Sequence, residues 1–229
     1  MIEINGKPIV KSLIIFALAL ICIHSVILII YYIVDDPDKF GFVRMFDLDM
    51  ERNVPTLFSS LLFAISALLF WLLGSDKDEE ERLKRRYWYG LAGVFLFLSF
   101  DESAKIHENI GDYTERFIEA SGFLYYPWVI SYGILVLILA VLYFKFFWRM
   151  PRKVMLSFFK AAAIFLTGAV GFELLGAYES SLHGTASMLY SILYTIEESL
   201  EMFGLIYLIS ILFGLLNGKT VRMKSIKDE

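Results

Sequence analysis

Between Leu13 and Val34 the chain runs for 22 residues without an Asp, Glu, Lys or Arg, about 33 Å of helix against a hydrocarbon core of roughly 30 Å. In lipid such a segment has to close its backbone hydrogen bonds within itself, so it forms a helix. Pro55–Leu73 and Leu124–Tyr143 are uncharged runs of similar reach. With 58% hydrophobic and 17% aromatic residues, the composition is that of a cell-membrane protein in contact with lipid. The net charge of −4 offers no basic surface for nucleic acid. Leu13–Val34 exceeds a signal-peptide core and lacks a small-residue cleavage site before Asp35 and Asp36, so it reads as a retained anchor. The lone cysteine, Cys22, excludes an internal disulfide.

Three further apolar segments carry charge inside them. The first, "FLFLSFDESAKIHENIG" from Phe95 to Gly111, meets Asp101, Glu102, Lys105, His107 and Glu108. Its uncharged lead-in, Tyr87–Phe100, covers only about 21 Å and cannot cross alone. The others are Val154–Tyr178, which holds Lys160 and Glu173, and Ala186–Leu216, which holds Glu197, Glu198 and Glu201. Basic residues collect on the cytoplasmic side of short loops, and here they fall in four clusters: Lys7 and Lys11, Arg82 to Arg86, Arg149 to Lys153, and Lys219 to Lys227. Placing all four on one side requires two crossings between neighbours. The expectation is one all-α polytopic domain over 1–229 with six transmembrane helices, about 12–34, 55–74, 87–110, 124–147, 154–179 and 186–216. The N and C termini are then cytoplasmic, and Tyr87, Trp88, Tyr89 and Trp148 mark the cytoplasmic interface.

Heights along these helices follow from the rise per residue. Asp101 stands about 21 Å above Tyr87, Glu173 about 28 Å above Val154, and Glu201 and Glu197 about 22 and 28 Å from Leu216. Three helices thus place acids in the outer third of the bilayer. A carboxylate facing lipid costs several kcal/mol, so such residues turn toward the bundle interior or a watery cavity. At about 100° per residue Glu201 lies between Glu197 and Glu198, on a face that Tyr190, Tyr194 and Gly204 extend. The expected metal ligands or proton carriers are Asp101, Glu102, Glu173, Glu197, Glu198 and Glu201. His107 is secondary, as is His183, which pairs with Glu179 at i, i+4. Glu108, Asp112, Glu115 and Glu119 read instead as a solvated outer face.

Carboxylate and histidine clusters on helix bundles suit two-metal sites, but the Glu-x-x-His spacing of that chemistry is absent: Glu179 and His183 stand four apart, Glu102 and His107 five. An oxygen-rich set with few histidines fits Mg, Mn, Ca or Zn. His24 reads as a core residue bonded to a backbone carbonyl. "FDLDMERN" sets Asp47, Asp49 and Glu51 at alternate positions, but Arg52 stands where a calcium loop needs glycine. It reads as an interfacial loop leading to Pro55, and its acids as a lesser candidate for covering the mouth of the site. The leading expectation is a multi-pass membrane protein whose acidic, externally accessible site binds a divalent metal ion, in the service of membrane-embedded chemistry on a lipid-like substrate. Cation or proton-coupled transport is the first alternative, and a noncatalytic membrane subunit or sensor the second. The oligomeric state stays open.

Overall fold

Two polar clasps fix the hairpin on which the site is built. Helix α3 (Val54–Gly74) and helix α4 (Arg82–Ala104) run antiparallel, and Ser60 and Ser99 each donate to the other's backbone carbonyl, at 2.8 and 2.9 Å, while Ser103 Oγ donates to Ser60 Oγ at 2.8 Å. In a low-dielectric interior these hydroxyls satisfy one another and lock the register of the pair. The computed structural model describes residues 6–33, 42–75, 82–118 and 120–216. The first residues of the outer loop and the Lys219–Lys227 cluster lie outside them.

The other elements are α1 (Gly6–Ile33), the short α2 (Phe42–Phe46), α5 (Ile106–Glu115), α6 (Trp128–Trp148), α7 (Arg152–Leu166), α8 (Glu173–His183) and α9 (Met188–Leu216). A six-residue π-helical segment, Thr167–Phe172, joins α7 to α8. No strand occurs among the described residues. Five of the helical segments are long and apolar enough to cross a membrane: α1, α3, α6, Arg152–His183 and α9. Helix α4 is of comparable length, but its basic start and its carboxylates lower its apolar character.

Helix α9 is the axis of the bundle. Its Met202, Ile209 and Leu212 are fully enclosed, as are Leu62 and Phe70 of α3 and Ala17 of α1. Helix α1 buries a single stripe, Leu13, Ala17, Leu20 and His24, and exposes the rest of an apolar surface to lipid. Two glycines let the chain behind the site approach α9 closely. A Cβ at Gly204 would stand 2.8 Å from the Phe165 nitrogen, and one at Gly168 would stand 2.7 Å from the Glu197 carbonyl oxygen.

Two expected boundaries move. The third helix begins at Arg82 and stops at Ala104 rather than 110: Lys105 adopts a left-handed backbone, φ 57° and ψ 41°, and α5 restarts in a new direction. A non-glycine residue in that region is disfavoured, and Asp101 compensates by accepting the His107 backbone N–H at 2.7 Å as the cap of α5. The fifth helix runs on through the π segment to His183, where Gly184, φ 77°, supplies the positive-φ turn expected of it.

Candidate functional site

The loop between α2 and α3 supplies what the sequence reading ranked low. Asn53 caps α3 by accepting the Thr56 N–H at 3.1 Å, and its Nδ2 donates to the Asp47 carbonyl at 2.6 Å, which curls residues 47–53 over the end of the bundle where α3 begins. The alternate acids of "DLDME" then reach three different places. Asp47 accepts from the Tyr194 hydroxyl at 3.2 Å and lies 3.5 Å from His24. Asp49 accepts from the Tyr190 hydroxyl at 2.8 Å. Glu51 meets Lys105 Nζ at 2.6 Å and His107 Nε2 at 3.6 Å, at the break between α4 and α5. The period of two that suggested a calcium loop fastens a strap.

His24 holds this strap from below. The Leu48 backbone N–H donates to its Nδ1 at 3.2 Å, so that nitrogen carries no proton. Thr195 Oγ1 donates to the Ser191 carbonyl at 2.6 Å, and its lone pair is left to accept from His24 Nε2, 3.0 Å away. His24 is therefore a neutral, fully buried core residue as expected, but it receives a backbone N–H instead of bonding a carbonyl.

Beneath the strap lies a cavity of about 450 Å³, to which α4, α5, α6, the π segment, α8 and α9 all contribute. Asp101, Glu102, Glu173, Glu197, Glu198 and Glu201 all line it, and so does His107. Within the cavity Glu198 and Glu201 lie in the field of Glu102 from α4, and Glu173 from α8 hydrogen bonds Glu197 of α9. A carboxyl pair in hydrogen-bonding contact shares a proton, or a cation takes its place. Trp128 Nε1 donates to the other side of Glu173 at 2.7 Å.

His183 and Glu179 stand apart from this group. Their Nδ1 and Oε1 are 3.0 Å apart, Glu179 also accepts from Ser187 Oγ at 2.6 Å, and neither residue lines the cavity. The pair staples the α8–α9 turn. Asp101 is buried, and its Oδ1 is engaged by α5, which limits it as a ligand. The sequence reading ranked Asp49 and Glu51 low and missed Trp128 and Tyr132. Their partners are distant in sequence, and no spacing signals them.

Among the described residues, Glu51, His107 and Glu108 form the group tight enough to hold an ion as it stands, with ligand atoms within 4.8 Å of one another. Lys105 Nζ already sits there, 2.6 Å from Glu51 and 3.2 Å from Glu108. The chain thus brings its own cation to the outer rim, whereas the deeper carboxylates surround the cavity more widely.

The rim titrates near neutrality. Loss of solvation pushes the Asp49 carboxyl up to about 6 against the opposing Tyr190 hydrogen bond. Burial alone would depress His107, but the hydrogen bond and charge of Asp101, joined by Glu102 and Glu108, outweigh it and hold the imidazole above its ordinary range. Both groups bind protons more tightly in the folded state. Their stabilisation is complete below the unfolded values and is lost as pH rises through the folded ones. Metal-free protein is therefore expected to lose thermal stability as pH rises from about 4 to 6, where Asp49 ionises, and further above about 6.5 as His107 gives up its proton, with Asp49→Asn flattening the first of these steps. Metal-loaded protein should trend the other way, because protons compete for carboxylate ligands. Thermal unfolding across this range checks both signs, and a flat metal-free profile would contradict this account of the rim.

The family described as Domain of unknown function (DUF8692) matches residues 12–215. The chain belongs to this family. No curated protein and no solved structure matches it. The match takes in the strap, the cavity and every helix that lines it, so the site of this DUF8692 member lies wholly within the region that defines the family.

Proposed function

We propose that this DUF8692 member is a six-span membrane protein whose cavity takes up a divalent cation from the outer face. One observation carries the reading: among the described residues the cavity lining holds nine acids, Asp49, Glu51, Asp101, Glu102, Glu108, Glu173, Glu197, Glu198 and Glu201, with one histidine and no lysine or arginine. That many carboxylates in a bundle buried in lipid need cations or protons for charge balance, and the desolvated setting strengthens their hold on either. Glu102, Glu198 and Glu201 are the preferred ligands, since Asp101 and the rim acids already have protein partners. Hard oxygen ligands on this scale suit Mg, Mn or Ca, with Zn admissible if His107 joins in its neutral form. The bound ion would act as a Lewis acid on a lipid-like substrate entering the same cavity. Elemental analysis of the purified protein tests the reading. A stoichiometric divalent ion, with stability that falls on chelation and returns on reloading, is the expected result. Metal-free protein indifferent to both treatments overturns it.

The sixth crossing is α4. Its pairing along α3, with the serine clasps near one end and Tyr89 hydrogen bonded to Ser75 at the other, supports equal spans for the two. In intact cells expressing a Cys22→Ser background, Ser75→Cys should resist a membrane-impermeant thiol reagent and Asp112→Cys should react. The opposite pattern would break the six-span topology.

Cation or proton-coupled transport is the second reading, and irregular backbone favours it. The π segment ends at Phe172, immediately before Glu173, and the left-handed break at Lys105 follows Asp101 and Glu102. Interruptions of this kind occur at functional sites and at ion sites of transporters. Ion flux into liposomes that depends on Glu198, in protein without bound metal, would select it.

A further inference from the structure

The cavity changes character along one face of α6. Trp128, Tyr132, Leu135, Val136 and Leu139 recur at helical spacing on its cavity side, so a single stripe passes from aromatic to aliphatic over about 16 Å. Helix α6 buries only Val129 and Phe146 and touches α4 and α7 sparsely between its ends. The stripe therefore borders open space instead of a packed neighbour. Val94 and Leu98 of α4 and Ala169 and Val170 of the π segment complete an apolar slot. It runs from the carboxylate tier along α6 toward Leu139.

The tier at the head of the slot is as much aromatic as acidic. Tyr126, Trp128, Tyr132, Tyr190 and Tyr194 all line it. Trp128 and Tyr132 stand edge to face at 5.5 Å, and Tyr190 and Tyr194 at 5.3 Å. The Tyr126 and Tyr190 hydroxyls, 3.3 Å apart, join the two groups of rings. Aromatic walls backed by carboxylates are the recognition chemistry of organic ammonium groups, which bind ring faces without needing the hydrogen bonds of a hydrated ion. A phosphate headgroup finds the reverse: nine acidic side chains line the cavity, and the Lys105 ammonium at its rim is already held between Glu51 and Glu108.

We infer that the cavity takes an amphiphile with an organic ammonium headgroup, the head seated among the rings and carboxylates of the outer tier and the alkyl chain lying in the slot between α4, α6 and the π segment. This names the class of the lipid-like substrate and rests on the same cavity being the binding site, with Glu173 and Asp49 as countercharges to the head. The deeper Glu102, Glu198 and Glu201 stay with the metal ion.

The test uses the full chain in an uncharged maltoside detergent with three probes: dodecyltrimethylammonium, tetramethylammonium and dodecyl phosphate. Binding is read from tryptophan fluorescence and from the shift in Tm. Dodecyltrimethylammonium should bind saturably and raise Tm. Tetramethylammonium should bind about tenfold more weakly or worse for want of the chain, and dodecyl phosphate should not bind. Trp128→Ala should weaken the ammonium probes about tenfold while Trp128→Phe retains most of the affinity. Leu139→Trp, which fills the slot, should abolish the advantage of the long chain and leave tetramethylammonium unchanged. Dodecyl phosphate binding as well as its cationic counterpart overturns the headgroup assignment. Equal affinity for the two ammonium probes, or indifference to Leu139→Trp, overturns the amphiphile and leaves a free amine as the ligand. Elemental analysis beside the titration separates the two readings: ammonium binding by protein that holds no metal as purified and takes none up on loading sinks the divalent-cation proposal alone, and stoichiometric metal without ammonium binding sinks this one alone.

Discussion

Glu198→Gln is expected to lower the affinity for the bound divalent ion by at least about a hundredfold, because it removes an anionic ligand from a desolvated site while preserving shape. Glu198 lines the cavity beside Glu201 and within the field of Glu102 and Glu173. Neighbouring carboxylates repel one another without a cation, so the metal-free variant should be more stable than metal-free wild type even as it loses the ion. Glu115→Gln, in the last turn of α5 and exposed to solvent, is the matched control: a solvated charge of this kind is worth about 1 kcal/mol or less. Metal content and Tm of the two variants, each with and without chelator, decide the matter. Loss of metal from Glu115→Gln, or full retention in Glu198→Gln, would place the ion elsewhere. If the protein holds no metal and ion flux ignores Glu198→Gln, both the metal and the transport readings fail, and a role as a noncatalytic subunit is left.

Gly204→Val should be the most destabilising single change in the bundle. The added carbons would meet backbone and Cβ of Phe165 at 2.8 to 3.0 Å, so α7 has to move away from α9. Overpacking at a backbone contact costs roughly 3 kcal/mol, and the displacement draws Glu173 away from Glu197. The variant should therefore show both a lowered Tm and a weakened metal response. Gly214→Ala on the same helix meets nothing within 4 Å, and should be neutral or stabilising by up to about 1 kcal/mol through helix propensity. Equal behaviour of the two glycines would mean that α7 and α9 do not pack as closely as this.

Height and azimuth of the site residues were unequally legible. Asp101, Glu173 and Glu197 could be placed at one depth because a helix rises about 1.5 Å per residue whatever surrounds it, and the shared cavity agrees with that placement. His183 could not be separated from them by depth, since only the course of the α8–α9 turn sets it beside Ser187 and away from the cavity. Lys105 read as one more residue on a continuous helix face. Its left-handed backbone arises where Asp101 caps α5 and Glu51 pairs with the ammonium, and Glu51 lies 54 residues earlier in the chain.

What the sequence by itself determined is the helices, their apolar, membrane-compatible character and the height of the acids along them. Each follows from local quantities: the length of an uncharged run, the cost of an unbonded peptide in lipid, and the rise per residue. Only the tertiary structure decided which way each helix turns and what closes the site. Helices α1 and α6 are apolar on nearly every face, and so is α9 beyond its three acids, so no continuous amphipathic stripe announces the inward side. The inward side is chosen by close contacts such as Gly204 on Phe165. The strap is similar: Asp47, Asp49 and Glu51 are three loop acids until Tyr194, Tyr190 and Lys105 are brought to meet them. A charge becomes part of a site through partners that lie far along the chain, and it is the packing of the bundle that supplies them.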